Sequence, residues 1–376
     1  MADRLKVAVL LGGRSGEHEV SLASASSVMS ALDPGKYEII QVGITRQGAW
    51  VAGTEVLAAL QSESLEGVPS VALFADPTRR GLWDVESLDG TARLRLFSRV
   101  DVVFPVLHGT FGEDGTLQGL LEMADVPYVG CGALASAVAM DKVLFKDVCK
   151  AHDLPMAAYV GVSRRRWEHE PQAVLDEIEQ VLHYPLFTKP ANLGSSVGIS
   201  KCRGRSDLLE GLHEAARYDR RILVEQAVPA AREIEVSVLG NEAPSASVPG
   251  EIIPSREFYD YAAKYLDEGE RASQLLIPAP ISAALTEQVR DLAIRAYRAI
   301  DGAGMARADF LLDGESGALY LNELNTIPGF TKISMYPKLW EATGIPYSQL
   351  LSWLIDLALD RHGENMRSER VYRPLA

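Results

Sequence analysis

The sequence predicts an α/β fold made of more than one domain. Its 376 residues are enough for two or three domains, each with a core of its own. Near the start, the apolar run 7–11 leads into a glycine-rich loop and a helix over 20–32, which ends at Asp-Pro-Gly. Apolar runs at 37–44 and 101–107 are typical of strands in a parallel sheet. From about residue 232 the chain changes to longer strands of alternating character.

The middle of the chain, from about 131 to 228, continues the α/β pattern. Helices are predicted over 135–152 and over 171–183, and the second begins with a proline, as helices often do. Strands are predicted over three short apolar runs, at 157–162, 184–190 and 222–226.

The C-terminal part is predicted to contain strands at 233–238 and 245–253 and amphipathic helices at 286–300 and 347–360. Between them, residues 254–280 have no clear period and are predicted to form a long ordered loop. Loops of that length in a compact domain are usually functional. Residues 53–96 are mixed and rich in turns, and no element is assigned to them.

Composition limits the classes of protein that fit. Hydrophobic residues make up 47% of the chain and charged residues 23%, which is typical of a globular protein in water. The net charge of −14 argues against nucleic acid as a partner. Cys131, Cys149 and Cys202 form no CxxC pair, so reduced thiols in the cytoplasm are expected. The apolar run near the start is too short for a signal peptide or a membrane span.

A polar face is predicted on a β-hairpin around the Asp-Gly…Gly turn 313–317. Side chains alternate along a strand, so Arg307 and Asp309 share one face before the turn, as Glu323 and Asn325 do after it. Carboxylate and amide oxygens are ligands that Mg²⁺ takes alongside phosphates. An arginine beside them can bind a phosphate or an oxyanion. The alternative is a solvated hairpin face without a ligand.

The glycine-rich loop 12–19 resembles a dinucleotide-binding loop but differs in detail. Its spacing is Gly-Gly-x-x-Gly, and the second strand ends without the acidic residue that binds a ribose. A nicotinamide cofactor is therefore not expected. Glu17 stands at a helix N-terminus, where the helix dipole keeps a carboxylate ionised. It could hold a substrate ammonium group or merely cap the helix.

Two further loops follow predicted strands. The loop 108–119, with four glycines, lies where α/β sheets form their binding crevice, although a structural turn is an alternative. The loop 189–198 lacks the Gly-Lys-Ser/Thr end of a P-loop, but its N–H groups and hydroxyls could cover triphosphate oxygens. Lys189 and Lys142 are candidate phosphate-binding cations, and solvated surface lysines are the alternative.

A short segment at the end of an apolar strand has the pattern of an adenine-binding hinge. Such a hinge offers a backbone donor and a backbone acceptor to the base, and a nearby carboxylate can reach the ribose hydroxyls. The segment consists of Glu225, Gln226, Ala227 and Val228, and the carboxylate is Glu233.

Together these motifs resemble the D-alanine–D-alanine ligase family of the ATP-grasp superfamily. The resemblance covers nearly the whole chain, and the order and spacing of the motifs make a chance match negligible. The motifs are Gly-Glu-His-Glu-Val-Ser at 16–21, His-Gly…Gly-Glu-Asp-Gly…Gln-Gly at 108–119, Met-Asp-Lys at 140–142, Lys-Pro…Gly-Ser-Ser-Val-Gly at 189–198, Arg-Glu-Ile-Glu-Val at 232–236, Phe-Tyr-Asp-Tyr-Ala-Ala-Lys-Tyr at 258–265 and Asn-Glu-Leu-Asn-Thr-Ile-Pro-Gly at 322–329. Residues 53–96 look longer than in short family members.

The resemblance implies an N-terminal Rossmann-like pre-ATP-grasp domain followed by the two-lobed ATP-grasp fold. The implied domains are 1–130, 131–228 and 229–376, the last with a lid loop at 254–280, and ATP would bind between the second and third. The implied reaction joins two D-alanines for peptidoglycan precursor synthesis. ATP phosphorylates the first, and the amine of the second attacks the acyl phosphate.

The resemblance also implies how the nucleotide and metal are held. Two Mg²⁺ (or Mn²⁺) ions would be bound by Asp309, Glu323 and Asn325. Lys142 and Lys189 would contact phosphates as point charges. The other residues assigned to ATP binding are Ser196, Glu225, Gln226, Ala227, Val228, Glu233 and Lys264.

For the two amino acids, the resemblance implies a second set of residues. Arg307 and the backbone N–H of Gly329 would stabilise the tetrahedral oxyanion. Glu17 would bind the ammonium group of the first D-alanine, as part of a Glu17–Ser195–Tyr265 network that closes the site. Ser334 and Met335 would bind the carboxylate of the second D-alanine, and His108 would contact a substrate.

Two other kinds of function remain open. A D-alanine–D-lactate ligase, or another ATP-grasp carboxylate–amine ligase, would use the same ATP chemistry, although Ala263-Lys264-Tyr265 favours the dipeptide. A nucleotide-binding module without catalysis has no need of the metal ligands and Arg307 together. The family further suggests a cytoplasmic homodimer.

Overall fold

The computed structural model of the chain describes residues 4–88, 91–194, 197–254 and 273–369. Most of the predicted lid loop 254–280 lies outside the described residues. Four predicted site residues also lie outside them: Ser195, Ser196, Lys264 and Tyr265.

The first part of the chain forms a sheet with a parallel centre, in the order β3-β2-β1-β7. Strand β1 runs parallel to β2 and to β7, while β3 is an antiparallel edge strand. The strands up to residue 131 are β1 (Leu5–Gly12), β2 (Tyr37–Ile44), β3 (Trp50–Gly53), β4 (Val71–Leu73), β5 (Leu82–Leu88), β6 (Thr91–Ser98) and β7 (Val102–Pro105). The helices are α1 (His18–Ala31), α2 (Val56–Gln61) and α3 (Thr116–Ala124).

Both faces of β1 are buried, as the continuous apolar run predicts for a strand inside a parallel sheet. Val7 and Val9 pack in a core that includes residues of α1. Ala8 and Leu10 point the other way, into a core that includes Leu121 of α3. The loops after β1 and β7 therefore leave the same edge of a sheet that helices cover on both sides.

Residues 53–96 contain elements that the sequence pattern did not predict. Strands β4, β5 and β6 form a small antiparallel sheet in that order. All six residues from Thr91 to Leu96 in β6 are exposed, so this strand has no buried face. Without a buried face, the alternation of apolar and polar residues carries no clear signal.

The middle of the chain forms an antiparallel sheet in the order β10-β9-β11-β8. Its strands are β8 (Tyr159–Ser163), β9 (Leu186–Pro190), β10 (Ser200–Cys202) and β11 (Arg221–Gln226). The helices of this part are α4 (Ala133–Met140), α5 (Lys142–Ala151), α6 (Arg164–His169), α7 (Pro171–Val181) and α8 (Arg205–Tyr218).

The prediction of one helix over 135–152 is wrong. Asp141 separates α4 from α5 and has an extended backbone, with φ −82° and ψ 99°. Its carboxylate accepts hydrogen bonds from the backbone N–H groups of Val143 and Leu144, the geometry of a helix N-cap. The second helix thus starts at Lys142, beside the candidate site.

The C-terminal part is built on a six-stranded sheet in the order β15-β14-β12-β16-β17, with β13 paired to β12. Its strands are β12 (Arg232–Leu239), β13 (Ser245–Ala246), β14 (Gly250–Ile253), β15 (Gln274–Leu276), β16 (Met305–Leu312) and β17 (Leu319–Asn325). Its helices are α9 (Ala283–Ala299), α10 (Met335–Ala342) and α11 (Tyr347–Asn365). The single strand predicted over 245–253 is therefore two strands.

The predicted hairpin is confirmed as the antiparallel pair β16 and β17. Arg307 lies opposite Asn325, and Asp309 lies opposite Glu323. On the other face of the same strands, Ala308 and Phe310 are buried in the core beneath α9. No helix in the described ranges is both long and apolar enough to cross a membrane.

Candidate functional site

The four polar residues of the hairpin form one connected group. The Arg307 guanidinium donates to both carboxylate oxygens of Asp309, at 2.7 and 2.6 Å. The Asn325 amide donates to Asp309 at 2.9 Å and lies 3.5 Å from a Glu323 oxygen. Strand alternation places these side chains on one face, and cross-strand pairing sets their distances.

Arg307 also contacts a residue that the sequence reasoning missed. Its Nε lies 3.0 Å from a carboxylate oxygen of Glu235, which is 5% exposed. Glu235 lies opposite Asp309 on the neighbouring strand β12. The guanidinium is thus held between two carboxylates, which fixes its direction. The signal in the sequence was the alternation of Glu233 and Glu235 with apolar residues in β12.

Lys142 joins this group from another part of the chain. Its ammonium donates to the Leu193 carbonyl at 2.8 Å and lies 4.0 Å from a Glu323 carboxylate oxygen. The side chain is 15% exposed, so it is not a solvated surface lysine. The break at Asp141 directs this first residue of α5 toward the hairpin.

Lys189 is also part of a charged group within the protein. Its ammonium donates to Glu225 at 2.8 Å, and Glu225 also contacts Lys146 at 2.5 Å. The Glu225 side chain, predicted to lie in an adenine-binding hinge, is therefore buried between two lysines. The sequence did not single out Lys146, because the helical pattern of α5 shows only that this lysine lies one turn after Lys142.

Two backbone N–H groups of the predicted hinge form hydrogen bonds within the protein. The N–H groups of Gln226 and Ala227 donate to the carbonyls of Ala158 and Pro185. Of the three residues after Glu225, Val228 therefore stays the predicted backbone donor to a base. Glu233 is near enough to Lys189 to raise the pKa of that lysine.

Glu17 lies where two glycine loops meet. A Cβ atom at Gly109 would be 2.7 Å from a Glu17 carboxylate oxygen, and one at Gly194 would be 3.1 Å from the same oxygen. Gly109 also has φ +75°, a conformation that favours glycine. Both loops can approach the carboxylate closely because they lack side chains there. The carboxylate at the start of α1 thus contacts loops from two different sheets.

Glu113 is a second carboxyl group at this place, and no role was assigned to it from the sequence. It accepts the Gly109 N–H at 2.7 Å. Burial, followed by the charge of Glu17, raises the pKa of Glu113 to about 8. A carboxyl group that is partly protonated near neutral pH can accept or donate a proton within the site.

His108 is buried and bonded to the protein through both ring nitrogens. Nδ1 lies 3.0 Å from the Ile327 carbonyl and Nε2 lies 3.2 Å from the Ser24 hydroxyl. Since a carbonyl can only accept, Nδ1 carries the hydrogen. Burial lowers the pKa of His108, which favours the neutral ring. It links the loop after β7 to the segment that leads to Gly329.

The segment after the hairpin positions Gly329, Ser334 and Met335. A Cβ at Gly329 would lie 2.9 Å from the Ser334 hydroxyl, and that hydroxyl also bonds to Thr331. The Met335 side chain is buried against Ile252. If Met335 binds a substrate carboxylate as predicted, its backbone N–H at the start of α10, and not its side chain, would make the contact.

The oxygen ligands of the hairpin suit a divalent cation bound together with phosphate. Among the described residues, no three His, Cys, Asp or Glu side chains form a metal site by themselves. Asp309 and Glu323 lie opposite each other, with the Asn325 amide beside them. Two carboxylates and an amide oxygen fit Mg²⁺ that takes its remaining ligands from phosphate and water.

Two family models together match most of the chain. The model described as D-ala D-ala ligase N-terminus matches residues 6–131, and the one described as D-ala D-ala ligase C-terminus matches residues 148–356. The D-alanine–D-alanine ligase of Heliobacterium modesticaldum is 54% identical over 369 residues, covering 98% of each chain. That of Acetivibrio thermocellus is 44% identical over 377 residues, covering 98% of this chain and 99% of the relative.

Solved structures of related ligases also match the chain over nearly its whole length. The D-alanine–D-alanine ligase from Coxiella burnetii is 39% identical, with a TM-score of 0.82 and 97% of each chain covered. The VanG D-Ala:D-Ser ligase from Enterococcus faecalis is 36% identical, with a TM-score of 0.83, covering 95% of this chain and all of that one. Fold and site define an ATP-grasp ligase. The chain belongs to the D-alanine–D-alanine ligase family.

Proposed function

We propose that the chain joins two D-alanine molecules, forming D-alanyl-D-alanine, ADP and phosphate, for peptidoglycan precursor synthesis. The observation that supports this most directly is the hairpin, where Arg307, Asp309, Glu323 and Asn325 lie on one face with Lys142 4.0 Å from Glu323. Carboxylates, an amide and two cations together suit phosphoryl transfer followed by attack on a carbonyl.

In the first step, the carboxylate of one D-alanine attacks the terminal phosphorus of ATP, and ADP leaves. Lys142 and Lys189 bind phosphate oxygens, and Glu17 binds the ammonium group of this D-alanine. Asp309, Glu323 and Asn325 would hold Mg²⁺ (or Mn²⁺), which supplies positive charge opposite the phosphates. The product of the step is D-alanyl phosphate.

In the second step, the amine of the other D-alanine attacks the acyl carbon, and the tetrahedral intermediate releases phosphate. Arg307 and the Gly329 N–H stabilise the oxyanion of that intermediate. Ser334 and the Met335 N–H bind the carboxylate of the attacking D-alanine. Arg307 is suited to this role because two carboxylates fix its orientation before the charge develops.

ATP is proposed to bind between the second and third domains, with the domains at 1–130, 131–228 and 229–376. The three main sheets, built from strands within 5–105, 159–226 and 232–325, support this division. Val228 and Glu233 would bind the base and the ribose. On the family resemblance alone, Ser196 and Lys264 would bind ATP, and Ser195 and Tyr265 would help to close the site. Residues 254–280 would form a lid.

We also propose a cytoplasmic homodimer that binds D-alanine and ATP and neither nucleic acid nor a membrane. The three cysteines are buried and free, in agreement with a reducing compartment.

A second candidate differs only in the second substrate. The VanG structure belongs to a D-Ala:D-Ser ligase, so chains of this fold at 36% identity can differ in that substrate. A D-alanine–D-lactate ligase is the corresponding ester-forming alternative. Release of ADP with D-alanine alone, compared with L-alanine and with D-alanine plus D-serine or D-lactate, separates these functions. Absence of ADP release with D-alanine would contradict the proposal.

The metal requirement is tested with Glu323→Gln. This change removes one anionic ligand and keeps the shape, so the variant should need a higher Mg²⁺ concentration for the same rate of ADP formation. Glu315→Gln, in the turn of the same hairpin, is the matched control and should titrate like the wild type. Identical Mg²⁺ titrations for Glu323→Gln and the wild type would rule out the hairpin as the metal site.

A further inference from the structure

Behind Lys189 lies a group of three charges inside the middle part of the chain. Lys146 is 1% exposed and Glu225 is 2% exposed. One carboxylate oxygen of Glu225 is 2.5 Å from the Lys146 ammonium, and the other is 2.8 Å from the Lys189 ammonium. Helix α5 supplies Lys146, and the paired strands β11 and β9 supply the other two.

Glu225 and Lys189 are both charged. Burial alone raises the pKa of Glu225, but the ammonium groups of Lys146 and Lys189 outweigh burial and bring it down to about 2. Burial lowers the pKa of Lys189, but Glu225, followed by Glu323 and Glu233, raises it above its ordinary value. Because Glu225 forms salt bridges with both Lys146 and Lys189, the group combines two ammonium groups with one carboxylate.

The two lysines are not equivalent. Lys146 is enclosed, and its ammonium also lies 5.6 Å from the centre of the Tyr159 ring, so a ligand cannot reach it. The Lys189 side chain is 13% exposed and lies within electrostatic range of Glu323 in the hairpin and Glu233 in β12. The net positive charge of the group is thus available only through Lys189.

We propose that Lys146 is a positioning residue: by binding one oxygen of Glu225, it leaves the positive charge of Lys189 for a phosphate group of a bound nucleoside di- or triphosphate. Without Lys146, Glu225 would neutralise Lys189, and both oxygens could turn toward that lysine. In the low dielectric of the interior such a pair is strong and would compete with phosphate. The inference rests on the proposed function, because the nucleotide is expected at Lys189.

The test compares binding of ADP and adenosine by calorimetry, with Mg²⁺ present. The readout is the ratio of the adenosine to the ADP dissociation constant, which cancels changes at the base and ribose. Lys146→Met keeps the length of the side chain and removes the charge, and it should lower this ratio by about tenfold. Lys150→Met, which removes an exposed lysine from the same helix, should leave the ratio unchanged.

Two further variants separate positioning from stability. Glu225→Gln removes the competing carboxylate, so it should raise the ratio above that of the wild type. The double variant Lys146→Met/Glu225→Gln should recover at least the wild-type ratio, although it lacks two buried charges. If Lys146→Met does not fold, the ratio in Glu225→Gln and in the double variant still tests the proposal.

Three results would overturn the inference. The first is an unchanged ratio in Lys146→Met together with weaker binding of both ligands, which means a structural role only. The second is a fall in the ratio in Glu225→Gln. The third is equal affinity of the wild type for ADP and adenosine, which would overturn the proposed function as well and is thereby distinguishable from the other two.

Discussion

At the scale of single residues, the position of Arg307 fits the oxyanion-binding role that we propose for it. Its side chain is 16% exposed, and its guanidinium is hydrogen-bonded to Asp309 and ion-paired with Glu235, each on a strand of the same sheet. Because its direction is fixed before substrate binds, little reorganisation is needed when an oxyanion forms. The residue should therefore contribute to turnover more than to substrate affinity.

We expect Arg307→Ala to lower turnover by about 10²–10³, which is typical when one oxyanion donor is removed. The affinity for ATP should change much less. The variant should also be less stable by about 3 kcal/mol, because Glu235 stays buried without its ion pair. Turnover and ATP binding are measured separately, on protein shown by circular dichroism to be folded.

The matched control is Arg232→Ala, which removes an arginine that donates to both oxygens of Glu251 in the same sheet. It should lower stability while turnover at saturating substrate stays within about threefold of the wild type. A collapse of ATP affinity in Arg307→Ala with normal turnover would instead make Arg307 a ground-state phosphate ligand.

Glu113 gives a prediction for pH dependence. The folded protein raises the pKa of Glu113 from 4.5 to about 8, chiefly through burial and the charge of Glu17. A raised pKa contributes stability that is present below 4.5 and is lost as the pH rises through about 8. Glu113→Gln stays neutral and keeps an acceptor for the Gly109 N–H, so it avoids this loss.

The stability of Glu113→Gln relative to the wild type should therefore increase between pH 5 and 9. Since one pKa unit corresponds to about 1.4 kcal/mol, and partial exposure reduces the effect, we expect a gain of about 2 to 3 kcal/mol. Urea unfolding at several pH values measures it. Parallel stability curves for the two proteins would contradict the raised pKa.

At the level of secondary structure, the break between α4 and α5 decides where Lys142 lies. Asp141 caps α5 and also accepts hydrogen bonds from Arg221 at 2.7 Å and Asn192 at 3.2 Å. Lys142 follows this cap directly as the first residue of α5, and its ammonium lies 4.0 Å from Glu323. The sequence showed a helical pattern on both sides, and the acidic residue in its middle was the sign of an N-cap.

Asp141→Ala should destabilise the protein by about 2 to 3 kcal/mol, from the lost cap and the lost partner of Arg221. Asp141→Asn keeps the cap oxygen, so it should lose less. Denaturant unfolding with an unchanged slope measures both values, and the binding of ADP shows whether Lys142 has moved. Equal losses of stability in Asp141→Ala and Asp141→Asn would mean that the charge of Asp141, and not its N-cap oxygen, keeps α4 and α5 separate.

At the scale of the whole molecule, separate sheets contribute to one site. Gly109 follows the N-terminal sheet and Gly194 follows the middle one, and both lie against Glu17. The hairpin of the third sheet adds its polar face, with Lys142 from α5 within 4.0 Å of Glu323. Such a site depends on how the parts close around the substrates, because an acyl phosphate must be kept from water.

Tyr265→Phe tests closure, following the proposed Glu17–Ser195–Tyr265 network. Loss of the hydroxyl should slow D-alanyl-D-alanine synthesis and weaken discrimination between an amine and an alcohol nucleophile. The measurement is the ratio of D-alanyl-D-alanine to D-alanyl-D-lactate formed with both acceptors present, from pH 6 to 9. Tyr261→Phe, in the same segment, is the matched control. Equal ratios for Tyr265→Phe and the wild type would assign Tyr265 to packing.

The sequence by itself determined the α/β class, the family and the polar face of the hairpin. These depend on local patterns: continuous apolar runs mark strands buried on both faces, and a period of two fixes which side chains share a face. The order and spacing of the seven motifs along the chain identify the family. For that reason the sequence pattern places Arg307, Asp309, Glu323 and Asn325 on one face, as the paired strands confirm.

The tertiary structure alone decided which charges are paired. Glu225 lies between Lys146 and Lys189, and Glu235 contacts Arg307, because strands and helices distant in sequence pack side by side. Whether a buried ionisable group stays charged depends on its neighbours in space, through burial and through the nearest opposite charge. A linear sequence holds no record of those distances, so the groups that tune this site became visible only in the folded chain.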